Sequence, residues 1–104
     1  MLPVYLNNKK EIAHQYQAWG QENGLQFVAE QLNTEANYWL NVAIMQDKQH
    51  RDKMLEITNK NTVMSRPAWA PMHKLAINQD CQTAEMGNTE WLYDRLINVP
   101  SSVV

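Results

Sequence analysis

The stretch from Asn37 to Met45 constrains this chain most. Tyr38, Leu40, Val42 and Ile44 alternate there with Trp39, Asn41, Ala43 and Met45. In an extended strand both faces then carry apolar groups, the pattern of a strand buried on one face and largely covered on the other. The chain has to supply neighbouring strands and a covering layer, and the flanking segments read accordingly. A helix is expected over Asn8 to Asn23, where Asn8 and Glu11 have the spacing of a capping box. Ile12, Tyr16 and Trp19 make its apolar stripe, and Gly20 and Gly24 sit where it can end. Leu25 to Val28 reads as a short strand.

Asp47 suits the N-cap of a second helix through about Lys60, with Met54, Leu55 and Thr58 turned inward. Val63 to Ser65 reads as another short strand. Between Arg66 and Leu75 regular structure is not expected, because Pro67 and Pro71 remove donors and push the residues before them toward extended conformations. A last helix runs from Thr89 to about Leu96, and the tail from Ile97 to Val104 has room for one strand. The order gives an α+β two-layer sandwich: a small, mostly antiparallel sheet with helices on one face, a single domain over 1–104.

Charge and composition exclude several classes of function. Nine basic and eleven acidic residues give a net charge of −2. They are mixed along the chain, without the basic block that nucleic acid or an anionic membrane would require. No apolar run approaches the roughly 20 residues that cross a bilayer, and the N-terminal residues lack the pattern of a signal peptide. With Cys81 the only cysteine, there is no internal disulfide, which suits a reducing cytoplasm. A soluble cytoplasmic protein is expected. The chain has four tryptophans and four tyrosines against a single phenylalanine, rings that serve cores and interfaces alike.

Few residues suggest chemistry. His14, His50 and His73 form no spaced pair with one another or with Cys81, so a metal site is not expected. Cys81 lies in Gln79-Asp80-Cys81-Gln82, with no glycine elbow or oxyanion hole, and reads as a small, partly buried thiol. Three glycines, none clustered, exclude a phosphate-binding loop. The run Ser65-Arg66-Pro67-Ala68-Trp69-Ala70-Pro71-Met72-His73-Lys74 differs in kind. It places a guanidinium, an indole, an imidazole and an ammonium on a stretch stiffened by two prolines, which suits an anionic ligand. A packing loop with an exposed ion pair explains the same residues equally well.

Four pieces, in order, resemble a known family. They are Asn8-Lys9-Lys10-Glu11-Ile12-Ala13, then Asn37-Tyr38-Trp39-Leu40-Asn41, then Met64-Ser65-Arg66-Pro67-Ala68-Trp69 through Met72-His73-Lys74-Leu75, and finally Asp94-Arg95-Leu96-Ile97-Asn98-Val99-Pro100-Ser101-Ser102-Val103. Together they are similar to the C-terminal part of DegT-type, pyridoxal-phosphate-dependent nucleotide-sugar aminotransferases, especially those acting on 4-keto-6-deoxy sugars toward bacillosamine or legionaminic acid. The resemblance implies the small C-terminal domain of the aspartate-aminotransferase fold. It also implies dimers with active sites at the interface, and amino transfer from glutamate to the nucleotide sugar in the complete enzyme. By position, Arg66, Trp69 and His73 correspond to a pocket-lining loop, with Asn37, Tyr38 and Trp39 adjoining it. The resemblance assigns Arg66 to an anionic group and His73 to a polar contact near cofactor or sugar.

The large domain, with its Schiff-base lysine, has no counterpart in this sequence. Lys9, Lys10, Lys48, Lys53, Lys60 and Lys74 all fall in parts that match the small domain. The expectation is therefore no catalytic residue, no pyridoxal phosphate held by this chain alone, and truncation on the N-terminal side. A second expectation is a stand-alone derivative acting as a binding or dimerisation module. Either version exposes apolar surface, and a homo-oligomer or a missing large domain is the expected partner.

Overall fold

The computed structural model describes residues 1–102. Val103 and Val104, the end of the expected tail, lie outside the described residues, and Val103 is also the last residue of the final matching piece. Three α-helices and four strands follow in the order α1 (Leu2–Asn23), β1 (Gln26–Phe27), β2 (Asn41–Ile44), α2 (Lys48–Lys60), β3 (Arg66–Pro67), α3 (Gly87–Arg95) and β4 (Leu96–Val99). Two 3-10 turns, Met72–Lys74 and Ala76–Asn78, lie between β3 and α3. The strands form one antiparallel sheet in the order β1-β2-β4-β3. The α+β class with a small antiparallel sheet is the one expected from the sequence.

Register explains the core. Phe27 pairs with Ala43, Ala43 with Ile97, and Ile97 with Pro67. Residues directly opposite across a sheet share a face, so this row makes one continuous apolar surface. Met54 and Leu55 of α2 pack on it together with Leu25 and Met45. From α1, the Tyr16 ring stacks on Phe27 with centroids 5.2 Å apart. Helices α1 and α2 therefore cover the same face.

Several boundaries differ from the sequence reading, each for a local reason. Helix α1 begins at Leu2 rather than Asn8, because a proline in the first turn sets a helical φ and nothing between it and Asn8 breaks the helix. The Asn8–Glu11 spacing therefore falls inside the helix and is not a cap. The helix ends at Gly24, which has φ +72°, as its left-handed cap.

Strand β2 is shorter than the run that suggested it. Tyr38 has φ +51°, a left-handed conformation that costs an aromatic residue strain and breaks extended pairing. The Tyr38 ring is nevertheless buried. Its hydroxyl accepts from the Glu30 N–H, and the His14 ring meets it edge-on at 6.4 Å. Asn37 to Leu40 is thus a loop leading into the strand. Strand β3 is Arg66–Pro67, not Val63 to Ser65. Thr62 turns the chain at φ +63°, and buried Ser65 bonds through Oγ to Thr58 and Asn59 of α2. Pairing with β4 therefore starts one residue later. Pro67 is tolerated there because β3 is an edge strand.

Helix α2 has the expected cap, with Asp47 accepting from the His50 N–H at 2.8 Å. That bond, followed by the His50 side chain, holds the Asp47 carboxyl below its ordinary value. A depressed carboxylate contributes stability that is present above its unfolded pKa and lost as pH falls through the folded one. In thermal melts, Asp47→Ala is expected to lower the melting temperature at neutral pH. Its deficit relative to wild type should shrink steadily on acidification.

Gly20 allows a close approach between α1 and the chain entering β1. A Cβ there would press on the Leu25 carbonyl oxygen and lie 2.7 Å from a Phe27 ring carbon. Overpacking of this kind costs roughly 1–3 kcal/mol. Gly20→Ala should shift the chemical-denaturation midpoint down by that amount, whereas an alanine at the exposed neighbour Gln21 should leave it nearly unchanged.

Candidate functional site

The loop from Arg66 to Leu75 crosses from the edge strand toward α3, and its side chains enter three different surroundings. The Arg66 guanidinium donates to Asn59 Oδ1 at 3.0 Å and to the Ser65 carbonyl at 2.8 Å. Trp69 projects outward, 89% exposed. His73 turns inward: Nε2 lies 3.0 Å from Glu90 Oε1 on α3, and the side chain is only 15% exposed. That imidazole, followed by the Lys74 ammonium, holds the Glu90 carboxyl below its ordinary value. The chain alone therefore does not gather Arg66, Trp69 and His73 into one pocket.

Sheet geometry explains the separation. Arg66 pairs with Asn98, and Asn41 with Val99. The start of β3 thus lies at the sheet end where the Asn37 to Leu40 loop enters β2. Pro67 pairs with Ile97, so the chain leaves β3 running toward the opposite end, where α3 passes directly into β4. Asn37, Tyr38 and Trp39 border a shallow groove of about 310 Å³ with Glu30 and Val42. Lys9 of α1 reaches over this end and donates to the Trp39 and Ser101 carbonyls. Lys10 pairs with Glu35.

Around α3 the aromatic and cationic groups interlock. Arg51 is 5% exposed, donates to the Tyr93 carbonyl at 2.8 Å and lies 5.6 Å from the Tyr93 ring centre. Lys74 lies 5.7 Å from the same ring. Tyr93 is therefore shared between α2 and the proline-flanked loop through two cation–π contacts. No local sequence pattern singles out Arg51, Tyr93 or Glu90. The spacing of Glu90 and Tyr93, one helical turn apart, was visible, but their partners come from segments far away in the chain. A groove of about 400 Å³ opens beside His73, bordered by Met72, Asn78, Cys81 and Met86. Cys81 is exposed, not the partly buried thiol expected, because it sits in the irregular segment ahead of α3. Among the described residues, no group of three or more His, Cys, Asp or Glu side chains is placed to hold a metal ion.

The third groove, about 600 Å³, lies between α1 and the chain's end, bordered by Ile12, Tyr16, Trp19 and Pro100. None of the three grooves has a lysine or arginine in its lining. On their own they do not fit a phosphate-bearing cofactor held by an imine-forming lysine.

Comparison with protein families decides the affiliation. The profile of the DegT/DnrJ/EryC1/StrS aminotransferase family matches residues 2–103. This chain belongs to that family. Solved structures agree in fold. Helicobacter pylori PseC, described as an aminotransferase involved in the biosynthesis of pseudoaminic acid, is 19% identical with a TM-score of 0.82 over 94% of this chain. The aminotransferase TlmJ from Streptoalloteichus hindustanus is 20% identical, with a TM-score of 0.80 over 95%. The putative sugar aminotransferase Spr1654 from Streptococcus pneumoniae, in its PLP form, is 17% identical with a TM-score of 0.83 over 97%. This family member spans only 28%, 27% and 27% of those chains. Comparison with curated protein sequences gives no match. No helix among the described residues is long and apolar enough to cross a membrane.

Arg51 is the structural centre of the site. Replacing it with methionine keeps the length of the side chain but strands the Tyr93 carbonyl. Unfolding free energy should fall by about 1–3 kcal/mol, the range for a buried polar group left without its partner. Arg51→Lys should recover only part of the loss, since an ammonium lacks the flat fork that reaches Tyr93 and Asp52 together. Equilibrium denaturation of the three proteins checks both statements.

Proposed function

We propose that this chain is the C-terminal small domain of a pyridoxal-phosphate-dependent nucleotide-sugar aminotransferase, non-catalytic by itself. In the complete enzyme the reaction is amino transfer from glutamate to a 4-keto-6-deoxy sugar. One observation carries the reading: a family match over nearly the whole chain, which spans just over a quarter of the solved family structures. The exposed surface supports it. All four tryptophans are between 49% and 89% exposed, and the radius of gyration is 15.6 Å, against about 13 Å for a compact 100-residue domain. Large rings displayed around an extended body suit a module that seats against a larger one.

Pyridoxal phosphate supplies the electron sink when bound. This chain's residues would close over substrate and exclude water. Arg66 is the group for a carboxylate or phosphate, since a guanidinium grips either with two bonds. Trp69 and Trp39 are surfaces for covering a sugar or base, Asn37 and Tyr38 flank them, and His73 makes a polar contact. In this isolated chain Arg66 is held by Asn59 and Ser65, bonds that an anion would have to replace. The setting is cytoplasmic, and the partner is a large domain or a second copy of the chain. The same exposed tryptophans serve the rival reading, a stand-alone binding or dimerisation module.

Borohydride reduction of the chain with substoichiometric pyridoxal phosphate, followed by peptide mapping, tests the proposal. Weak labelling scattered over several lysines is expected. Near-complete labelling of one lysine would overturn it, because the chain would then anchor the cofactor itself.

A further inference from the structure

His73 has two ring nitrogens in unlike surroundings. Nε2 lies 3.0 Å from Glu90 Oε1, while Nδ1 is buried and meets no hydrogen-bond partner among the described residues. A carboxylate in its charged form only accepts hydrogen bonds, so Nε2 is the donor. In the neutral ring the other nitrogen is then a bare lone pair.

We propose that Glu90 is a positioning residue for His73: it fixes the imidazole as the Nε2–H tautomer and leaves Nδ1 as an acceptor. The inference concerns residues that neither the motif nor the family match singles out together. Three features of the geometry support it. Glu90 lies in the first turn of α3, a position where a helix favours negative charge. Lys74, the residue after His73, lies near the Tyr93 ring one turn further along the same helix, so the 3-10 turn Met72–Lys74 is held at two points. Tyr93 is in turn braced from α2 by Arg51. The imidazole is thus held in orientation as well as in tautomer, as happens where a carboxylate orients a working histidine.

One consequence rests on the proposed substrate-binding role of the loop. With Nε2 committed to Glu90 and Nδ1 buried, a ligand that bonds to the His73 ring has to displace Glu90 or open the packing over Nδ1.

Long-range proton–nitrogen NMR on the protein, followed upward in pH until the ring shifts stop changing, reads the tautomer of the neutral imidazole directly. The expected wild-type spectrum shows protonated Nε2, unprotonated Nδ1 and a slowly exchanging Nε2 proton. Glu90→Ala should lose the slow exchange, while Glu90→Gln, whose amide oxygen still accepts, should keep it. A wild-type Nδ1–H tautomer would overturn the proposal. So would an Nε2 proton in Glu90→Ala that exchanges as slowly as in wild type. Because the wild-type spectrum is informative alone, a variant that fails to fold does not remove the test. Cofactor trapping is independent of this outcome, so either idea can fail without the other.

Discussion

Ala43 and Ile97 face each other across β2 and β4, each 1% exposed, and the rest of the molecule is arranged around that contact. Phe27 extends the row on one side and Pro67 on the other. Helix α2 covers it with Met54 and Leu55, and α1 reaches it through Tyr16 stacked on Phe27. Polar closure comes at the strand ends. The Ser101 hydroxyl accepts from the Asn41 backbone and side chain and donates to the Val99 carbonyl. Those groups would otherwise be buried without partners, which costs about 1–3 kcal/mol each. Two clasps beyond the strands finish the task. Tyr16 Oη donates to the Pro100 carbonyl, and Lys9 donates to that of Ser101.

A core this small leaves much of the apolar inventory unused. Burial of rings contributes more than burial of any other side chain, yet no tryptophan lies within the core. Tyr16, Phe27, Tyr38 and Tyr93 each have a specific neighbour, a stacked ring, an edge contact or a cation, and half-exposed Trp91 has the Arg95 guanidinium 4.2 Å from its ring centre. The tryptophans are divided among α1, the loop before β2, the proline-flanked loop and α3.

Much of the architecture was legible in the chain. The Asp47 cap, the inward Met54 and Leu55 and the stop at Gly24 are local events, governed by residues within a turn of one another. The antiparallel α+β arrangement followed from strand and helix order. The errors share one cause. Asn8–Glu11 has capping spacing, Asn37 to Leu40 alternates like a strand, and Val63 to Ser65 is apolar enough to pair. In each case a neighbour outside the pattern prevailed: the proline of the first turn, the left-handed Tyr38, and Ser65 drawn to α2. Cys81 was misplaced because burial depends on what the rest of the chain puts nearby.

The candidate site divides along the same line. Sequence alone determined that Arg66, Trp69, His73 and Lys74 ride on a stretch stiffened by Pro67 and Pro71, because proline acts on the backbone next to it. It also carried the family resemblance, since motif order is a property of the chain. Only the tertiary structure decided that Arg66 and His73 lie toward opposite ends of the sheet and that Glu90 holds the imidazole. It alone showed Tyr93 shared between Arg51 and Lys74. Those contacts join segments 17 residues apart for His73 and Glu90 and 42 apart for Arg51 and Tyr93. No local propensity acts over such separations. They exist because the β2–β4 pairing and the helix α3 that leads into β4 bring the segments together.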